Sequence, residues 1–216
     1  SRGLGDVYKR QMYIYERKIQ RAIREIAETA ILAMFVFSVL YISIQNYQVE
    51  GSSMTPNINQ GDCVLANKLA YWKIPKNSSD FFSQNYDSGQ NAKFLFGDPN
   101  KGDVIVFTYP KDPTRHFIKR VIAKEGDSVH IDNGNVYVNS VLLQEPYLDP
   151  ALNDSSNWGP NVVELGRYFV LGDNRRASND SRSWGTITSE HIIGKYLTRY
   201  PSSICSIAPI TQENLR

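Results

Sequence analysis

Two adjacent serines, Ser52 and Ser53, lie in the stretch "VEGSSMTPNINQGD", just after the most apolar run of the chain. A serine hydroxyl is a weak nucleophile unless a neighbouring base takes its proton. With such a base, the serine can attack a carbonyl carbon and form an acyl-enzyme. Neighbouring residues on an extended backbone face opposite ways. We therefore expect only one of the two serines to meet a base, and Ser52 to be hydrogen-bonded locally.

A histidine is the first base to test for Ser53. The three histidines, His116, His130 and His191, are scattered, and only His116 is close in sequence to another candidate base, Lys119. Side chains alternate between the two faces of a strand. In "HFIKRVIA", one face carries Phe117, Lys119 and Val121, and the other carries His116, Ile118, Arg120 and Ile122. If Lys119 faces the site, His116 does not, and the other two histidines are interpreted as structural.

Lys119 lies inside an apolar strand, where a solvated lysine has no obvious use. Strand pattern alone favours a lysine that protects an edge strand from aggregation. A catalytic base requires a neutral amine instead, and an ordinary lysine with a pKa of ~10.4 is neutral in only about one molecule in a thousand near pH 7.5. Burial among apolar side chains lowers the pKa of a lysine. The hypothesis of a lysine base therefore requires a buried Lys119.

A third group of reactive side chains lies in "LGDNRRASNDSRSWG", directly after the predicted strand "RYFVL". It combines two hydroxyls with alternating charges: Asp173, Arg175, Arg176, Ser178, Asp180, Ser181 and Arg182. A salt-bridged surface loop is one interpretation, and exposed pairs of this kind contribute little stability. The other is that this stretch orients a nucleophile and its base, since such a pair needs a third group.

The elements that carry these residues begin with an uncharged run, "TAILAMFVFSVLYISI". We predict a membrane anchor at 29–46, since the run is apolar on all sides. A buried soluble helix and a cleaved signal peptide are the alternatives, but no small-x-small cleavage site follows. Basic residues cluster before the run and are absent after it until Lys68, which places 12–28 in the cytoplasm and the remainder outside. We interpret 1–11 as a remnant foreign to the natural protein.

Residues 47–216 are predicted to form an all-β, mainly antiparallel domain. Short stretches rich in β-branched and aromatic residues alternate with Gly, Pro, Asn and Asp: "CVLANKLAY", "DVIVFTY", "HFIKRVIAKEG", "SVHIDNGNVYVNSVLL", "RYFVLGDN" and "IIGKYLTRY". Asn133-Gly134 predicts a tight hairpin turn with positive φ. We expect 125–167 to form a small inserted β subdomain. Two polar stretches, 76–94 and 149–161, are predicted to be solvated, mobile loops.

Composition narrows the class of protein. The net charge is +2 and no long basic stripe occurs, so we predict no nucleic-acid partner. The two cysteines, Cys63 and Cys205, can pair in an exported domain, but we predict two buried free thiols. No Cys/His spacing suggests zinc, and we predict no metal site.

Four stretches together resemble bacterial type I signal peptidase, over about 24–200. They are "VEGSSMTPNINQGD", "KGDVIVF", "HFIKRVIAKEGD" and "VLGDNRRASNDSRSWG", in this order behind an N-terminal anchor. The resemblance implies a Ser/Lys dyad, with Ser53 as the catalytic serine and Lys119 as the general base. It implies that Ser178 orients the lysine and that the Ser53 backbone N–H lies in the oxyanion hole.

The resemblance also implies supporting residues. Structural roles near the site fall to Asp173, Arg175, Asp180 and Arg182, of which the last two form an ion pair. Substrate pockets would be lined by Val49, Met54, Ile58, Phe117 and Ile118. Two positions depart from the family. Gly51 replaces a serine whose hydroxyl helps form the oxyanion hole in some members, so the hole relies on backbone donors. Asn57 replaces the usual threonine after the proline.

The implied function is removal of signal peptides from secreted preproteins after an Ala-x-Ala-like site. The enzyme would be a monomer that one helix holds in the cytoplasmic membrane, and it would need no metal or cofactor. A self-cleaving Ser/Lys protease of the SOS-repressor type is the nearest alternative. That family shares a similar "GSSM…GD" stretch but carries a DNA-binding domain instead of an anchor. A membrane-tethered β-domain that only binds partners is a second alternative. It leaves Ser53, Lys119 and Ser178 unexplained.

Overall fold

The computed structural model describes residues 3–75, 92–205 and 213–215. One long helix precedes the strands, and two short helices follow later: α1 (Gly3–Ser43), α2 (Ser181–Trp184) and α3 (Ser202–Cys205). The strands are β1 (Ile44–Val49), β2 (Cys63–Asn67), β3 (Lys73–Pro75), β4 (Ala92–Phe94), β5 (Val104–Thr108), β6 (His116–Lys124), β7 (Ser128–Asp132), β8 (Asn135–Val138), β9 (Val141–Leu142), β10 (Trp158–Val162), β11 (Arg167–Leu171), β12 (Ile187–Thr188), β13 (Ile192–Tyr200) and β14 (Glu213–Leu215). The fold class is the predicted one, mainly antiparallel β-sheet after an N-terminal apolar helix.

Helix α1 contains one segment, Tyr15–Ser43, that is long and apolar enough to cross a membrane. Its apolar side chains are exposed, and Ile31 and Phe35 are each 65% exposed. A soluble protein would normally bury such a surface. The helix ends at Ser43, so the last three residues of the predicted anchor, 44–46, lie in β1 instead.

The main sheet has the strand order β12-β11-β6-β14-β1-β2-β13-β5. Strand β5 also pairs with β6, which closes six of these strands into a barrel. The pairs are antiparallel except where β14 lies parallel to β1 and β6. Strand β6 therefore has partners along both of its edges, in β5, β14 and β11.

A smaller sheet with the order β10-β7-β8-β9 lies within the predicted subdomain. The turn between β7 and β8 has positive φ at Asn133 (47°) and Gly134 (78°), which confirms the predicted hairpin. One face of this sheet packs through Val129 and Val136 against Phe169 of β11. The bounds drawn for the anchor, the domain and the subdomain otherwise remain predictions.

Both polar stretches were predicted to be loops, but each contains residues in regular structure, and part of one lies outside the described residues. The 149–161 stretch contains a short 3₁₀ helix, Pro150–Leu152, and most of β10, because β10 pairs with β7. Residues 76–91 of the other stretch lie outside the described residues, and its end, 92–94, forms β4.

The prediction of free thiols is wrong, because Cys63 and Cys205 form a disulfide with a Cα–Cα distance of 5.9 Å. They are 142 residues apart in sequence. Strand pairing brings the two cysteines together in space. Cys63 lies opposite Tyr200 at the end of β13, and α3, which contains Cys205, begins two residues after Tyr200. Sequence spacing carried no sign of that pairing.

Candidate active site

Ser53 lies in the turn that joins β1 to β2 and is 8% exposed. Its neighbour Ser52 is exposed, and the Ser52 carbonyl accepts a hydrogen bond from Thr55 N at 3.2 Å. The serines are thus separated by a turn and not, as expected, by the alternation of an extended strand. Only Ser53 carries its hydroxyl into the interior, where a base can be kept from water.

Lys119 lies on β6, is 1% exposed, and is therefore not an edge-strand lysine. Its Nζ lies 2.7 Å from Ser53 Oγ and donates to the Ile118 carbonyl at 2.8 Å. The same Nζ lies 5.2 Å from the centroid of the Phe117 ring, as expected for residues on one strand face. Two buried side chains from distant parts of the sequence therefore meet with hydrogen-bonding geometry.

Burial lowers the pKa of Lys119 to about 8, because removal from water disfavours the ammonium form. Two carboxylates, Asp180 and Asp173, oppose this effect and raise the pKa. At about 8 the amine is neutral in a large share of molecules near physiological pH, which an ordinary lysine is not. The site therefore provides the environment that a lysine base requires.

The histidines lie in other environments. The His116 ring packs edge-on against Tyr47 at 6.0 Å between centroids, and the His130 ring stacks on Tyr137 at 4.6 Å. His191 Nδ1 lies 2.7 Å from Thr188 Oγ1. Ser53 Oγ has Lys119 as its partner in the described residues, and no histidine.

Asn174 holds the serine turn against the end of β11. Its backbone N–H donates to the Ser53 carbonyl at 2.9 Å, and its side-chain amide donates to the Ser52 carbonyl at 3.2 Å. The Ser53 backbone N–H makes no hydrogen bond to another described residue. The turn is thus fixed by its carbonyls, while a backbone donor next to the hydroxyl is left available.

Gly172 lies where β11 approaches the serine turn. A Cβ on Gly172 would collide with Ser178 Oγ and lie 2.5 Å from the Ser53 carbonyl oxygen. Ser178 Oγ and the Ser53 carbonyl oxygen both border this point, so the two residues lie close together. The expected hydrogen bond to Lys119 is not formed, because among the described residues the Ser178 Oγ has no partner. The two bonds of Lys119 Nζ go to Ser53 and Ile118.

The implied ion pair between Asp180 and Arg182 is present and bidentate, at 2.8 and 2.9 Å. Asp180 is fully buried and also accepts from Gly172 N at 3.2 Å. Arg182 donates further to Asp154 at 2.6 Å and to the Arg175 carbonyl at 2.8 Å. Loss of either partner would leave a buried charge unpaired, so this pair fixes the conformation of the loop that carries Ser178.

Asp173 forms a second bidentate pair, with Arg120 at 2.9 and 2.7 Å. The Asn57 side-chain amide donates to Asp173 at 2.8 Å and to the Tyr147 carbonyl at 2.9 Å. Arg120 also lies over the Tyr147 ring, 3.9 Å from its centroid. Asn57, the unusual residue of the serine stretch, thus links that stretch to the segment that follows β9.

Arg175 completes this link through an ion pair with Glu145, and both side chains are at least nine-tenths buried. The Arg175 Nε also donates to the Gly172 carbonyl at 3.0 Å. Four of the residues in these contacts were not identified from the sequence: Arg120, Glu145, Tyr147 and Asn174. Arg120 carried a signal, because an arginine inside a buried strand needs a carboxylate partner.

The five predicted pocket residues are all 1–3% exposed. Four of them pack in one apolar cluster: Val49, Met54, Ile58 and Ile118. Phe117 packs in another cluster and stacks on Tyr109 at 4.5 Å between centroids. As for metal binding, the described residues contain no group of three His, Cys, Asp or Glu side chains that could hold an ion.

The family model and the relatives in sequence agree on one family. A family model described as signal peptidase, peptidase S26, matches residues 22–201. Signal peptidase IB of Staphylococcus aureus (strain COL) is 32% identical over 197 residues, which covers 82% of this chain and 90% of the relative. A probable signal peptidase I-2 of Synechocystis sp. is 30% identical over 187 residues, covering 82% of this chain and 72% of the relative. The crystal structure of a signal peptidase I from Enterococcus faecalis V583 is 30% identical, with a TM-score of 0.41, and covers 47% of this chain and 98% of that one.

Proposed function

The chain belongs to the signal peptidase family, peptidase S26, and from this premise we propose that it is a membrane-anchored serine endopeptidase with Ser53 as nucleophile and Lys119 as general base. Its substrates are preproteins that bear signal peptides. The observation that carries the proposal is the 2.7 Å contact between Ser53 Oγ and Lys119 Nζ inside a buried site. A nucleophile and a base within hydrogen-bonding reach are what acyl transfer requires.

The proton transfer follows from the two contacts of Lys119. A neutral amine has two N–H groups and one lone pair. One N–H donates to the Ile118 carbonyl, which directs the lone pair toward Ser53 Oγ. The hydroxyl proton then passes to Nζ as Oγ attacks the scissile carbonyl carbon. Lys119 next gives this proton to the leaving amine, and the acyl-enzyme remains.

The oxyanion that forms on the carbonyl needs donors that are already in place. The Ser53 backbone N–H is the proposed donor, since it has no other partner among the described residues. Asn174 supports this role because its side-chain amide holds the Ser52 carbonyl, which belongs to the same peptide group as the Ser53 N–H. With Gly51 in place of a serine, no side-chain hydroxyl is available at that position to assist.

Deacylation reverses these roles. A water enters beside the acyl-enzyme and gives a proton to Lys119 Nζ as it attacks the ester carbon, and Ser53 Oγ leaves with that proton. In the acyl-enzyme, Ser53 Oγ is an ester oxygen and no longer has a proton to donate to Lys119 Nζ. The buried Ser178 hydroxyl lies beside Ser53 and has no partner among the described residues. We therefore keep Ser178 as the proposed lysine-orienting residue, acting once Ser53 is acylated.

Substrate binding is proposed to use an extended strand against a strand edge. Small side chains such as alanine, at the first and third positions before the cut, would enter the pockets that the predicted pocket residues line. Met54 and Phe117 would exclude larger side chains. The anchor holds the site near the bilayer, where the apolar segment of a preprotein also lies. The proposed orientation has the N-terminus in the cytoplasm and the catalytic domain outside, because basic residues precede the apolar segment. The protein is proposed to act as a monomer without cofactor.

The test is cleavage of a purified preprotein that contains one Ala-x-Ala site by the detergent-solubilised full chain. Mass spectrometry of the product should place the cut after the second alanine. A matched preprotein with aspartate in place of that alanine should stay intact, because a charge cannot enter an apolar pocket without a large desolvation cost. Cleavage at unrelated positions, or none, would contradict the proposed specificity.

A further inference from the structure

Strand β14 lies between the two strands that lead to the candidate dyad. On one side it runs parallel to β1, with Tyr47, Gln48 and Val49 opposite Glu213, Asn214 and Leu215. On the other side Leu215 lies opposite His116 of β6. The Glu50 backbone N–H donates to the Leu215 carbonyl at 2.6 Å. The segment thus follows the edge of β1, which ends at Val49, four residues before Ser53.

The Leu215 side chain is fully buried. It packs in the same apolar cluster as Val49, Met54, Ile58 and Ile118, which are four of the five predicted pocket residues. Ile118 is the neighbour of Lys119, and Met54 is the neighbour of Ser53. A branched aliphatic side chain of this chain therefore occupies the space that those residues surround.

We call the gap between β1 and β6 the groove. Strand β14 pairs with the backbone edges on both sides of this groove. Each strand edge can pair with only one partner at a time. An extended peptide that docks between β1 and β6 would need the same backbone donors and acceptors, and its side chains would need the space that Leu215 fills. Binding of such a peptide and retention of Glu213–Leu215 in the groove therefore exclude each other.

We propose that Glu213–Leu215 is an internal competitor that occupies the substrate groove, and that a preprotein must displace it before cleavage. This inference rests on the proposed function for the identity of the substrate. Because the segment is part of the same chain, it competes at an effective concentration of the order of millimolar. A preprotein held beside the enzyme in the same membrane overcomes this competition, whereas a dilute soluble peptide is excluded.

The first test compares Leu215→Ala with the unaltered chain on a soluble peptide that contains the Ala-x-Ala site. Truncation of a buried leucine should weaken the segment's hold on the groove by about tenfold or more. KM should then fall by up to that factor, with kcat within about twofold of the original, because the chemistry is untouched. Leu165→Ala is the matched control, since Leu165 is 86% exposed and should leave KM unchanged.

The second test measures occupancy without activity. Hydrogen exchange at the Glu50 amide should be slow in the unaltered chain and faster in Leu215→Ala, because its acceptor is the Leu215 carbonyl. A synthetic peptide of sequence TQENLR, residues 211–216, should slow that exchange again in the variant, and TQENDR should not. These measurements hold even if the chain cleaves nothing, so failure of the proposed function is distinguishable from failure of the inference.

Two results would overturn the proposal. Equal exchange at Glu50 in both chains would mean that the segment does not hold this position in solution. Faster exchange with an unchanged or higher KM would mean that the segment leaves without making room for substrate. Circular dichroism of Leu215→Ala identifies a variant that fails to fold, and Leu215→Val, a smaller truncation, then repeats both measurements.

Discussion

Ser53 Oγ and Lys119 Nζ lie 2.7 Å apart although 66 residues separate them in the sequence. The contact forms because the turn after β1 lies over β6 and because Lys119 is buried at the point where the turn passes. Water is excluded from both groups, which are 8% and 1% exposed. A lysine in such a place is favoured in its neutral form, which is the form that accepts a proton.

The pH dependence of cleavage should report Lys119. Burial lowers its pKa to about 8, and only the neutral amine acts as a base, so kcat/KM should rise with pH through about 8 and level off above it. Initial rates at low substrate concentration between pH 6 and 10 measure this limb. A rising limb centred near 6.5 would indicate a histidine instead.

Removal of Arg120 should move the rise of kcat/KM with pH to higher pH. Arg120 neutralises Asp173, one of the two carboxylates that raise the pKa of Lys119. In Arg120→Leu the unpaired carboxylate should favour the ammonium form, with a displacement of at least about half a pH unit. Arg167→Leu is the control, since Arg167 pairs with Glu164, whose side chain is 75% exposed. A limb that stays in place in Arg120→Leu would contradict this electrostatic role.

The buried lysine should also lower the stability of the fold. The interval between its ordinary pKa of 10.5 and about 8 corresponds to about 3 kcal/mol. Between these values the unfolded chain binds more protons than the folded one, so stability rises with pH there and the cost is fully present below about 8. Lys119→Met should therefore raise the free energy of unfolding at pH 7 by up to about 3 kcal/mol, and the gain should vanish as pH rises from 8 to 10.5.

Denaturant unfolding at several pH values measures this gain. Lys111→Met provides the comparison, because Lys111 is exposed and its removal should change little. A Lys119→Met chain that is less stable at every pH would contradict this prediction, because it would mean that the lysine stabilises the fold.

Gly172→Ala should remove activity by crowding the serine turn. The added Cβ would lie 2.5 Å from the Ser53 carbonyl oxygen and would collide with Ser178 Oγ. A displacement of about 1 Å at a nucleophile can cost a factor of about 100 in rate, and we expect kcat to fall by at least that much. The readout is kcat on the preprotein substrate at saturating concentration.

Gly194→Ala is the matched control for this substitution. Its Cβ would approach the Asn67 carbonyl oxygen to 2.8 Å, a similar collision with backbone on β2. We expect a lower Tm but a kcat within about threefold of the original. If both variants lose activity equally, the effect of Gly172→Ala is a general loss of structure.

Much of the fold could be predicted from sequence because period-two patterns are local. The strands around Val104–Thr108 and His116–Lys124 were identified in this way, as was the Asn133-Gly134 turn. Strand β14 was not, because three residues carry too little pattern. Its position is set by the unpaired edges of β1 and β6, which only the assembled barrel provides. The same holds for the Cys63–Cys205 disulfide, which depends on the pairing of β2 with β13.

The residues of the candidate site also fall into those that the sequence identified and those that it did not. Ser53 and Lys119 were named from residue type and from the family resemblance, and the structure brings their reactive atoms into contact. The supporting contacts of Asn57 and Asn174 were not found, because an amide in a polar stretch looks like any loop residue. The hydrogen bond expected between Ser178 and Lys119 is absent from the described contacts, since a motif gives proximity but not the rotamer of a hydroxyl.

The most direct test of the Ser/Lys assignment is preprotein cleavage by Ser53→Ala and Lys119→Ala, purified as full chains and compared with Ser52→Ala and Lys111→Ala. We expect the first two to lose at least about a factor of 10³ in kcat/KM. The two controls should cleave at nearly the original rate, since Ser52 and Lys111 are both exposed. Cleavage at the original rate by either Ser53→Ala or Lys119→Ala would contradict the assignment of Ser53 as nucleophile and Lys119 as general base.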